Sequence, residues 1–421
     1  MTVASAPSAA PPAASILPGA LLRGPYGSAM LANFFFFASL NGFMLLPLHI
    51  HRLGGDAADV GLVQGMYSAA GIASQPFIGL IVDRVGRRAF MVLGVSLLLG
   101  SCLVFAVSSS FVLFGALRAV QGLAFSTFFI ASYVHIVDLV PPERRGWALG
   151  FFGLAGLGAS ALAPLVGEVV IRHASFGAWF AMDAVIAAGA LVLVARDRHI
   201  LPPQAGVGPS VVETIRNWRR EIRRMHTILG FFFGLGTGTL FTFLPTFAEE
   251  LGVRGLGLFY TAYSGGAIVV RLFGGGLIDT RGRRAVIVPS LLVQALAAGM
   301  LASLALLLPP ASSIRVLPFL MVVGLLAGSA HGFLYPALSA LLVDVTPPPR
   351  RASAVGIFSA ATLVGTAVGA VGFGYVTHGL GYRVTWPGLA VLLAVGTVVS
   401  LRLRRPAPAA PAPAALTPAS G

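Results

Sequence analysis

The sequence predicts an all-α membrane protein with twelve transmembrane helices, arranged as two duplicated six-helix bundles. Hydrophobic residues make up 57% of the 421 residues and charged residues only 10%, whereas soluble domains carry about 25% charged residues. Apolar runs of about 20 residues, the length that crosses a bilayer as a helix, recur along most of the chain. Two charged stretches in the first half return in the second half, which indicates a duplication.

Twelve apolar stretches are long enough to be membrane spans, and the helix is the backbone form that fits them. In hydrocarbon every backbone N–H and C=O must be bonded within the protein. The alternating strands of about 10 residues that build a membrane barrel are absent from the sequence. The predicted spans 1 to 12 cover residues 27–50, 60–82, 89–108, 111–137, 147–171, 175–196, 227–249, 256–278, 286–308, 314–343, 352–376 and 383–402.

The distribution of arginine predicts the side of the membrane on which each loop lies. All 28 basic residues other than histidine are Arg. If both termini share one side, 21 arginines lie on that side and 5 on the other, while Arg118 and Arg271 lie inside spans. Because loops rich in Arg stay in the cytoplasm, we expect both termini there.

The chain is expected to divide into five regions, of which two are the helical bundles. Ala, Pro and Ser dominate both ends, which is typical of disordered extensions. In the linker, apolar residues such as Trp218 recur at helical spacing beside arginines such as Arg219, which predicts an amphipathic helix on anionic lipids at the cytoplasmic face. The regions are an N-terminal extension (1–25), an N-terminal bundle (26–197), a linker (198–226), a C-terminal bundle (227–403) and a C-terminal tail (404–421).

A charged loop motif with the spacing G-x-x-x-D-x-x-G-R-R follows span 2 and again follows span 8. The first copy is GLIVDRVGRR at 79–88 and the second is GGLIDTRGRR at 275–284. DLVPPERR at 138–145 likewise returns as DVTPPPRR at 344–351. Matches at equivalent turns predict a parallel duplication whose two halves are related by an axis along the membrane normal.

Each residue type in the loop motif has a physical role. Gly79 and Gly275 lack a Cβ, so that another helix can approach closely. Asp83 lies where span 2 leaves the membrane and can bond an Arg or a helix N-terminus. Gly86 permits a tight turn into span 3. The motif residues are Gly79, Asp83, Arg84, Gly86, Arg87 and Arg88 in the first copy, and Gly275, Asp279, Gly282, Arg283 and Arg284 in the second.

The first copy resembles the signature loop between spans 2 and 3 of the major facilitator superfamily. RAVQG at 118–122 is similar to that family's second motif, and the stretch 150–167 resembles its antiporter motif in span 5. This last match departs from the family at Ala159 and Ala163, which replace its usual glycines, and at Glu168. The resemblance implies a secondary transporter that rocks around a site at the bilayer midplane, with the loop motif as a conformational latch that stabilises the outward-facing state.

Arg118 is the most costly residue in the predicted spans. It lies roughly 10–12 Å inside span 4 at about 1.5 Å per residue, and a charge at that depth marks a functional site by default. Asp183 in span 6 and Glu168 in span 5 are the acids expected to load a proton beside it, although either acid could instead form an ion pair that holds helices together. Arg271 is expected to belong to the second copy of the latch.

Polar and aromatic side chains at helical spacing predict a substrate cavity. Tyr335 follows His331 by one helical turn in span 10, although a lone His between small residues can equally be a packing residue. Walls of Phe, Asn and Thr with one cation suit a moderately apolar or weakly anionic small molecule. The predicted cavity residues are Asn33, Asn41, Arg118, Gln121, Phe125, Thr239, His331 and Tyr335.

These features together predict a transporter in a bacterial inner membrane, not an enzyme, that exports a small organic compound in exchange for protons. Proton-linked uptake of a metabolite such as a sugar or an organic acid is the alternative. A primary pump is disfavoured because the sequence has no G-x-x-x-x-G-K-[ST] phosphate loop. Nucleic-acid binding is disfavoured because the arginines lie between apolar spans. We expect a monomer without metal or cofactor.

Overall fold

The structure is a computed structural model that describes residues 24–140, 145–200, 223–308, 316–346 and 351–403. Every regular element within these ranges is a helix. Twelve helical segments correspond to the predicted spans. They are span 1 (Pro25–Arg52), span 2 (Ala57–Val85), span 3 (Arg87–Val107), span 4 (Phe111–Asp138), span 5 (Arg145–His173), span 6 (Phe176–Arg196), span 7 (Met225–Glu250), span 8 (Gly257–Thr280), span 9 (Arg283–Leu307), span 10 (Val316–Val345), span 11 (Arg351–Leu380) and span 12 (Tyr382–Ser400).

Eleven of the described helices are long and apolar enough to cross a membrane. Span 2 is not among these eleven, and it carries polar side chains such as Gln64 and Gln75 along its length. Large apolar side chains lie on the outside of the other helices, where Val112 is 87% exposed and Phe273 is 84% exposed. Extensive exposed apolar surface fits contact with lipid. The predicted all-α membrane fold is confirmed.

The helices form two compact units. Unit 1 comprises Met1–Gly55, Leu62–Val211 and Gly255–Thr261, and unit 2 comprises Asp56–Gly61, Val212–Arg254 and Ala262–Gly421. The boundary between Val211 and Val212 falls in the predicted linker. Most of that linker, including its predicted amphipathic helix, lies outside the described residues, as do nearly all of the two terminal extensions.

Equivalent helices pack against each other in the two units. In unit 1, span 3 packs against spans 4 and 6, and span 1 packs against spans 5 and 6. In unit 2, span 9 packs against spans 10 and 12, and span 7 packs against spans 11 and 12. Each pair in unit 2 is the counterpart of a pair in unit 1, as expected for two copies of one ancestral bundle.

One helix crossing shows this correspondence at the level of single atoms. In unit 1, a Cβ added to Gly122 would overlap the carbonyl oxygen of Tyr67, and in unit 2 a Cβ added to Gly328 would overlap that of Tyr263. Gly328 follows Gly122 at the separation of the repeated DLVPPERR stretch, and Tyr263 follows Tyr67 at the separation of the loop motif. Both crossings therefore need a residue without a side chain.

Span 1 is interrupted inside the membrane. Its α-helix ends at Gly42, continues as a 3₁₀ turn over Phe43–Leu45 and resumes as Leu46–Arg52. Pro47 lies at the start of the resumed segment, where it lacks an N–H and its ring disfavours a regular bond to the preceding turn. Trp179 of span 6 donates its Nε1–H to the Gly42 carbonyl over 3.2 Å. This bond supports the backbone at the interruption.

Candidate functional site

The second glycine of each loop motif turns the chain with a left-handed backbone. Gly86 has φ 103° and Gly282 has φ 83°. Each glycine directly precedes a helix, span 3 or span 9. Because a side chain is strained at such φ values, other residues do not readily make these turns.

The first arginine of each motif forms an ion pair inside its own unit. Arg87 pairs with Asp138, the last residue of span 4. Arg283 pairs with Asp344 at the equivalent end of span 10, with 2.9 Å between Nε and Oδ2. Asp138 and Asp344 both begin the repeated DLVPPERR-type stretch, so the two repeated sequences meet in space. Sequence reasoning noticed both stretches and missed their pairing.

The second arginine of each motif binds the end of the last span in its unit. Arg88 donates to the carbonyl oxygen of Ala195 near the end of span 6. Arg284 donates to the carbonyl oxygen of Leu403 after span 12 over 2.9 Å. Carbonyls at a helix C-terminus have no partner within the helix, so these bonds satisfy groups that otherwise need water.

The remaining motif residues are only partly described. The side chains of Asp83, Arg84 and Asp279, and the surroundings of Gly79, lie outside what the structure describes. The expected close helix approach at Gly275 is wrong for the described part of the chain, because nothing lies within 4 Å of the position that its Cβ would take. The conformational latch therefore stays a prediction.

Arg118 is the centre of a polar group in unit 1. Its NH1 donates to Oε1 of Gln121 over 2.7 Å, and Nε2 of Gln121 donates to Oγ of Ser101 over 3.0 Å. The guanidinium carbon lies 4.5 Å from the ring centroid of Tyr67 and 5.9 Å from that of Phe43. Both distances allow cation–π attraction. Arg118 is thus held by neutral partners among the described residues.

Asp183 does not pair with Arg118 as the sequence suggested. The acid is fully buried, and neither carboxylate oxygen has a hydrogen-bond partner among the described residues. A Cβ on Gly42, at the interruption of span 1, would overlap the carboxylate of Asp183. Trp179, one turn earlier in span 6, lies against the same glycine. Asp183 is therefore an isolated acid beside an irregular helix.

Glu168 has a different environment from the one expected for a proton-loading acid. Its Oε1 accepts from the backbone N–H of Gly255 over 2.6 Å and from Arg172 over 3.0 Å. Its Oε2 accepts from the N–H of Gly257 over 2.8 Å. Gly257 is the first residue of span 8, so Glu168 satisfies the free N–H groups at that helix start and complements its dipole. All these residues belong to unit 1.

Three of the predicted cavity residues are instead bonded within helix contacts. Nδ2 of Asn33 donates to the Phe152 carbonyl over 3.1 Å, and Asn33 is fully buried. Nδ2 of Asn41 donates to Oγ of Ser160 over 2.7 Å. Thr239, also fully buried, donates to a carbonyl of its own helix, as a hydroxyl in a membrane helix often does. In this conformation Asn33 and Thr239 offer no surface to a substrate.

Phe125 belongs to an aromatic wall in unit 1. Its ring stacks on Phe129 with 5.2 Å between centroids and lies 6.0 Å from Tyr67 and 6.2 Å from Phe37. Phe125 and Phe129 recur at helical spacing on span 4, after Arg118 and Gln121. The predicted grouping of Arg118, Gln121 and Phe125 on one helix therefore has Tyr67 as a fourth member.

A second aromatic group lies in unit 2 around His331. The hydroxyl of Tyr263 and Nδ1 of His331 are hydrogen-bonded over 2.7 Å. The Phe233 ring lies 4.9 Å from His331 and 6.2 Å from Tyr335, and Phe241 lies 5.0 Å from Tyr263. Spans 7, 8 and 10 bring these side chains together. His331 and Tyr335 thus lie in one cluster, as their spacing predicted.

Arg271 lies with this second group, and its expected place in the second copy of the latch stays a prediction, because the side chain of Asp279 lies outside what the structure describes. It interacts electrostatically with Tyr335 and Tyr263 and with His331. Its Nε is buried and has no hydrogen-bond partner among the residues that the structure describes. Arg271, His331 and Tyr335 each keep some exposed surface, although all three lie well inside their spans.

The two aromatic groups occupy equivalent positions of the duplication. Tyr263 is the counterpart of Tyr67, and His331 follows Phe125 at the same separation as Gly328 follows Gly122. Sequence reasoning missed Tyr67 and Tyr263, although applying the separation of the loop motif to the rest of span 2 would have found them.

The comparisons with known proteins agree with this architecture. The family model described as Major Facilitator Superfamily matches residues 28–307 and 226–420. "Multidrug resistance protein 3" of Bacillus subtilis (strain 168) is 30% identical over 153 residues, which cover 34% of this chain. The chain spans only between 22% and 29% of the length of this relative and two others. "Multidrug resistance protein MdtG" of Salmonella choleraesuis (strain SC-B67) is 25% identical over 317 residues, covering 71% of this chain and 74% of the relative.

A solved structure shows the same fold at low sequence identity. A variant of the nucleoside transporter NupG superposes with a TM-score of 0.73 at 14% identity, covering 90% of this chain and 99% of that chain. With two matched stretches that run from residue 28 to residue 420, and with a repeated bundle of helices, the chain belongs to the Major Facilitator Superfamily of membrane transporters.

Proposed function

We propose that the protein exports a small organic compound from the cytoplasm in exchange for protons, by alternating access. Relatives named multidrug resistance proteins support export, and MdtG covers most of the chain. The stretch 150–167, which resembles an antiporter motif, points the same way. The observation that carries the proton coupling is the isolated, fully buried carboxyl group of Asp183.

An ionised carboxylate without partners is unfavourable at the site of Asp183. Burying an unpaired charge costs several kcal/mol after relaxation. The carboxyl group is therefore suited to hold a proton in this conformation and to release it in a conformation that hydrates it. Gly42, at the interruption of span 1, lies against this acid, and an irregular helix is a natural point of movement.

Arg118 supplies a second requirement for coupling, a cation in the same unit. A chain of polar groups runs from Arg118 through Gln121 to Ser101. The next residue, Cys102, interacts electrostatically with Asp183. A positive charge that is brought closer to the acid would favour loss of its proton. We propose that movement of span 4 relative to span 6 changes this separation during transport.

Glu168 is not part of the proposed proton path. Both of its oxygens already accept hydrogen bonds from Arg172 and from the start of span 8. A carboxylate with three donors is stabilised in its charged form. Glu168 therefore serves the proposal as a matched acid with a structural role.

The other finer features of the protein are part of the same proposal. The loop motifs act as a latch that stabilises the outward-facing state, supported by the turns at Gly86 and Gly282 and by the ion pairs of Arg87 and Arg283. The protein works as a monomer in a bacterial inner membrane, with both termini and the linker at the cytoplasmic face, where the arginines meet anionic lipids.

Proton coupling can be tested in inverted bacterial membrane vesicles that contain the full chain. Respiration acidifies the vesicle interior, and a pH-sensitive dye follows the proton gradient. We expect addition of a substrate from a panel of lipophilic dyes and aromatic acids to release protons with the wild type. Asp183→Asn should reduce this release at least tenfold, because an amide cannot carry the proton.

Glu168→Gln is the matched control and should keep proton release, even if it lowers the amount of folded protein. Proton release that survives Asp183→Asn at the wild-type rate would exclude this acid as the proton carrier. Substrate-dependent proton entry in right-side-out vesicles, without release in inverted ones, would instead favour the uptake symporter.

A further inference from the structure

We propose that Arg271 and the aromatic group around it form a binding site for the carboxylate of an amphipathic organic anion. This inference rests on the proposed transport function and names the chemical class of its substrate. The site lies within unit 2 and is built from Arg271 and Tyr263 on span 8, His331 and Tyr335 on span 10, and Phe233 on span 7.

Arg271 has no counter-charge among the described residues. A guanidinium group inside a membrane span is expensive and is normally paired with an acid or with backbone carbonyls. In the described part of the chain Arg271 forms no ion pair, and its buried Nε has no hydrogen-bond partner. It interacts electrostatically with Tyr263, Tyr335 and His331, none of which supplies a full negative charge. A bound anion would supply it.

Three polar side chains of this group keep part of their surface accessible. Tyr263 and Phe233 are almost fully buried, whereas Arg271, His331 and Tyr335 are only partly buried. A ligand can therefore contact these three residues without displacing the packed rings of Tyr263 and Phe233.

The aromatic side chains grouped with Arg271 are held in fixed positions. The bond of 2.7 Å between Tyr263 and His331 holds the imidazole ring in place. Phe233 lies 4.9 Å from His331 in an edge-to-face arrangement, and Phe358 lies 5.9 Å from Tyr335. Locked aromatic side chains form a rigid wall for an apolar body. A guanidinium beside such a wall matches a planar carboxylate attached to a ring.

The charge of the ligand can be tested by equilibrium dialysis of the purified full chain in lipid nanodiscs. The probes are 2-naphthoate and indole-3-acetate, each compared with its neutral amide. We expect the acids to bind the wild type more tightly than the amides. Arg271→Gln should weaken the acids by about tenfold to a hundredfold, the usual effect of losing a charged hydrogen bond, and should leave the amides unchanged.

Two further variants separate charge from folding. Arg271→Lys keeps the charge and should keep part of the affinity for the acids, which shows that the altered protein is folded. Arg254→Gln removes an exposed arginine from the same unit and should leave binding of the acids unchanged. Equal binding of acids and amides, or wild-type affinity in Arg271→Gln, would overturn the proposal, as would the absence of binding of either acid to the wild type.

Two arms distinguish the source of the anion and the dependence on proton coupling. If the natural anion were a lipid headgroup, adding phosphatidylglycerol to phosphatidylcholine nanodiscs would abolish binding of 2-naphthoate, and the assignment to a solute would be overturned. Binding of 2-naphthoate that is lost in Arg271→Gln, together with proton release in vesicles that survives Asp183→Asn, would keep the anion site while rejecting Asp183 as the proton carrier.

Discussion

The two units hold an arginine inside a span in different ways. In unit 1, Arg118 lies on span 4, donates to Gln121 and covers the ring of Tyr67. In unit 2, Arg271 lies on span 8 and donates no hydrogen bond in the part of the chain that the structure describes, whereas Nε is buried without a partner there in both arginines. The counterpart positions are neutral, because Gly324 replaces Arg118 and Gln75 replaces Arg271 when the repeat separations are applied.

The two units therefore share an aromatic wall and differ in the helix that carries the arginine. Both kept an aromatic wall on spans 2 and 4, or 8 and 10, with Tyr67 and Tyr263 at equivalent positions. The arginine lies on a different helix in each unit. Under the two proposals made above, Arg118 would influence the proton of Asp183, whereas Arg271 would bind a ligand. The shared frame and the different charges are separately testable.

The helix crossing that both units share predicts the largest effect, at Gly122 and Gly328. In each unit an added Cβ would overlap a backbone carbonyl at the crossing with Tyr67 or Tyr263, and backbone cannot move aside as a side chain can. We expect Gly122→Ala and Gly328→Ala each to lower stability by about 3 kcal/mol, at the upper end of the cost of overpacking. Thermal unfolding of the purified protein in detergent measures the change.

The matched controls for this prediction are Gly150→Ala and Gly356→Ala. These two glycines are also counterparts, and no atom of the described residues lies within 4 Å of the position of an added Cβ. Because Ala favours a helix over Gly by up to about 1 kcal/mol, both controls should be neutral or stabilising. A large loss at only one of Gly122 and Gly328 would contradict the equivalence of the two crossings.

The ion pairs of the loop motifs predict an intermediate effect that differs between the units. The side chains of Arg87 and Asp138 are 11% and 20% exposed, whereas those of Arg283 and Asp344 are 24% and 47% exposed. Solvent weakens the second pair. We expect Asp138→Asn to cost about 2 kcal/mol and Asp344→Asn about 1 kcal/mol or less.

Urea unfolding at low and high salt concentration checks this order. Salt should reduce the contribution of the exposed pair of unit 2 more than that of the pair of unit 1. Equal losses for the two variants at both salt concentrations would contradict the assignment of different burial to the two loops.

The smallest expected effect concerns the two tyrosine hydroxyls. Tyr263→Phe removes the hydrogen bond to His331 and should cost about 1 kcal/mol, because one polar atom is left without its partner. Tyr67→Phe keeps the ring that faces Arg118 and should change stability by a few tenths of a kcal/mol. Thermal unfolding of both variants in parallel measures the difference. A larger loss of stability for Tyr67→Phe than for Tyr263→Phe would contradict this order.

The fold followed from the sequence because it depends on patterns along the chain. Apolar runs of bilayer length, loops rich in arginine and a repeated loop motif are local features, and each restricts the fold independently. The turns at Gly86 and Gly282 could also be predicted, since a tight reversal requires a positive φ. Asp138 and Asp344 were recognisable in the sequence as members of a repeat, but their pairing with Arg87 and Arg283 depends on tertiary packing.

The candidate site could be predicted only in part, for the same reason. Helical spacing placed Gln121 and Phe125 with Arg118. It could not show that Asp183 lacks a partner, because the side chains that surround it come from other spans. The hydrogen bonds of Glu168 to the start of span 8 were missed because spacing along one helix does not reveal which neighbouring helix a long side chain reaches.

The single thiol of the chain has a practical consequence. Cys102 is fully buried, its Sγ lies 3.6 Å from Oγ of Ser39, and it interacts electrostatically with Asp183. A buried thiol does not react with water-soluble alkylating reagents. Single cysteines can therefore be introduced elsewhere for labelling without first removing Cys102. The rate at which Cys102 itself is alkylated would measure how often the space around Asp183 opens.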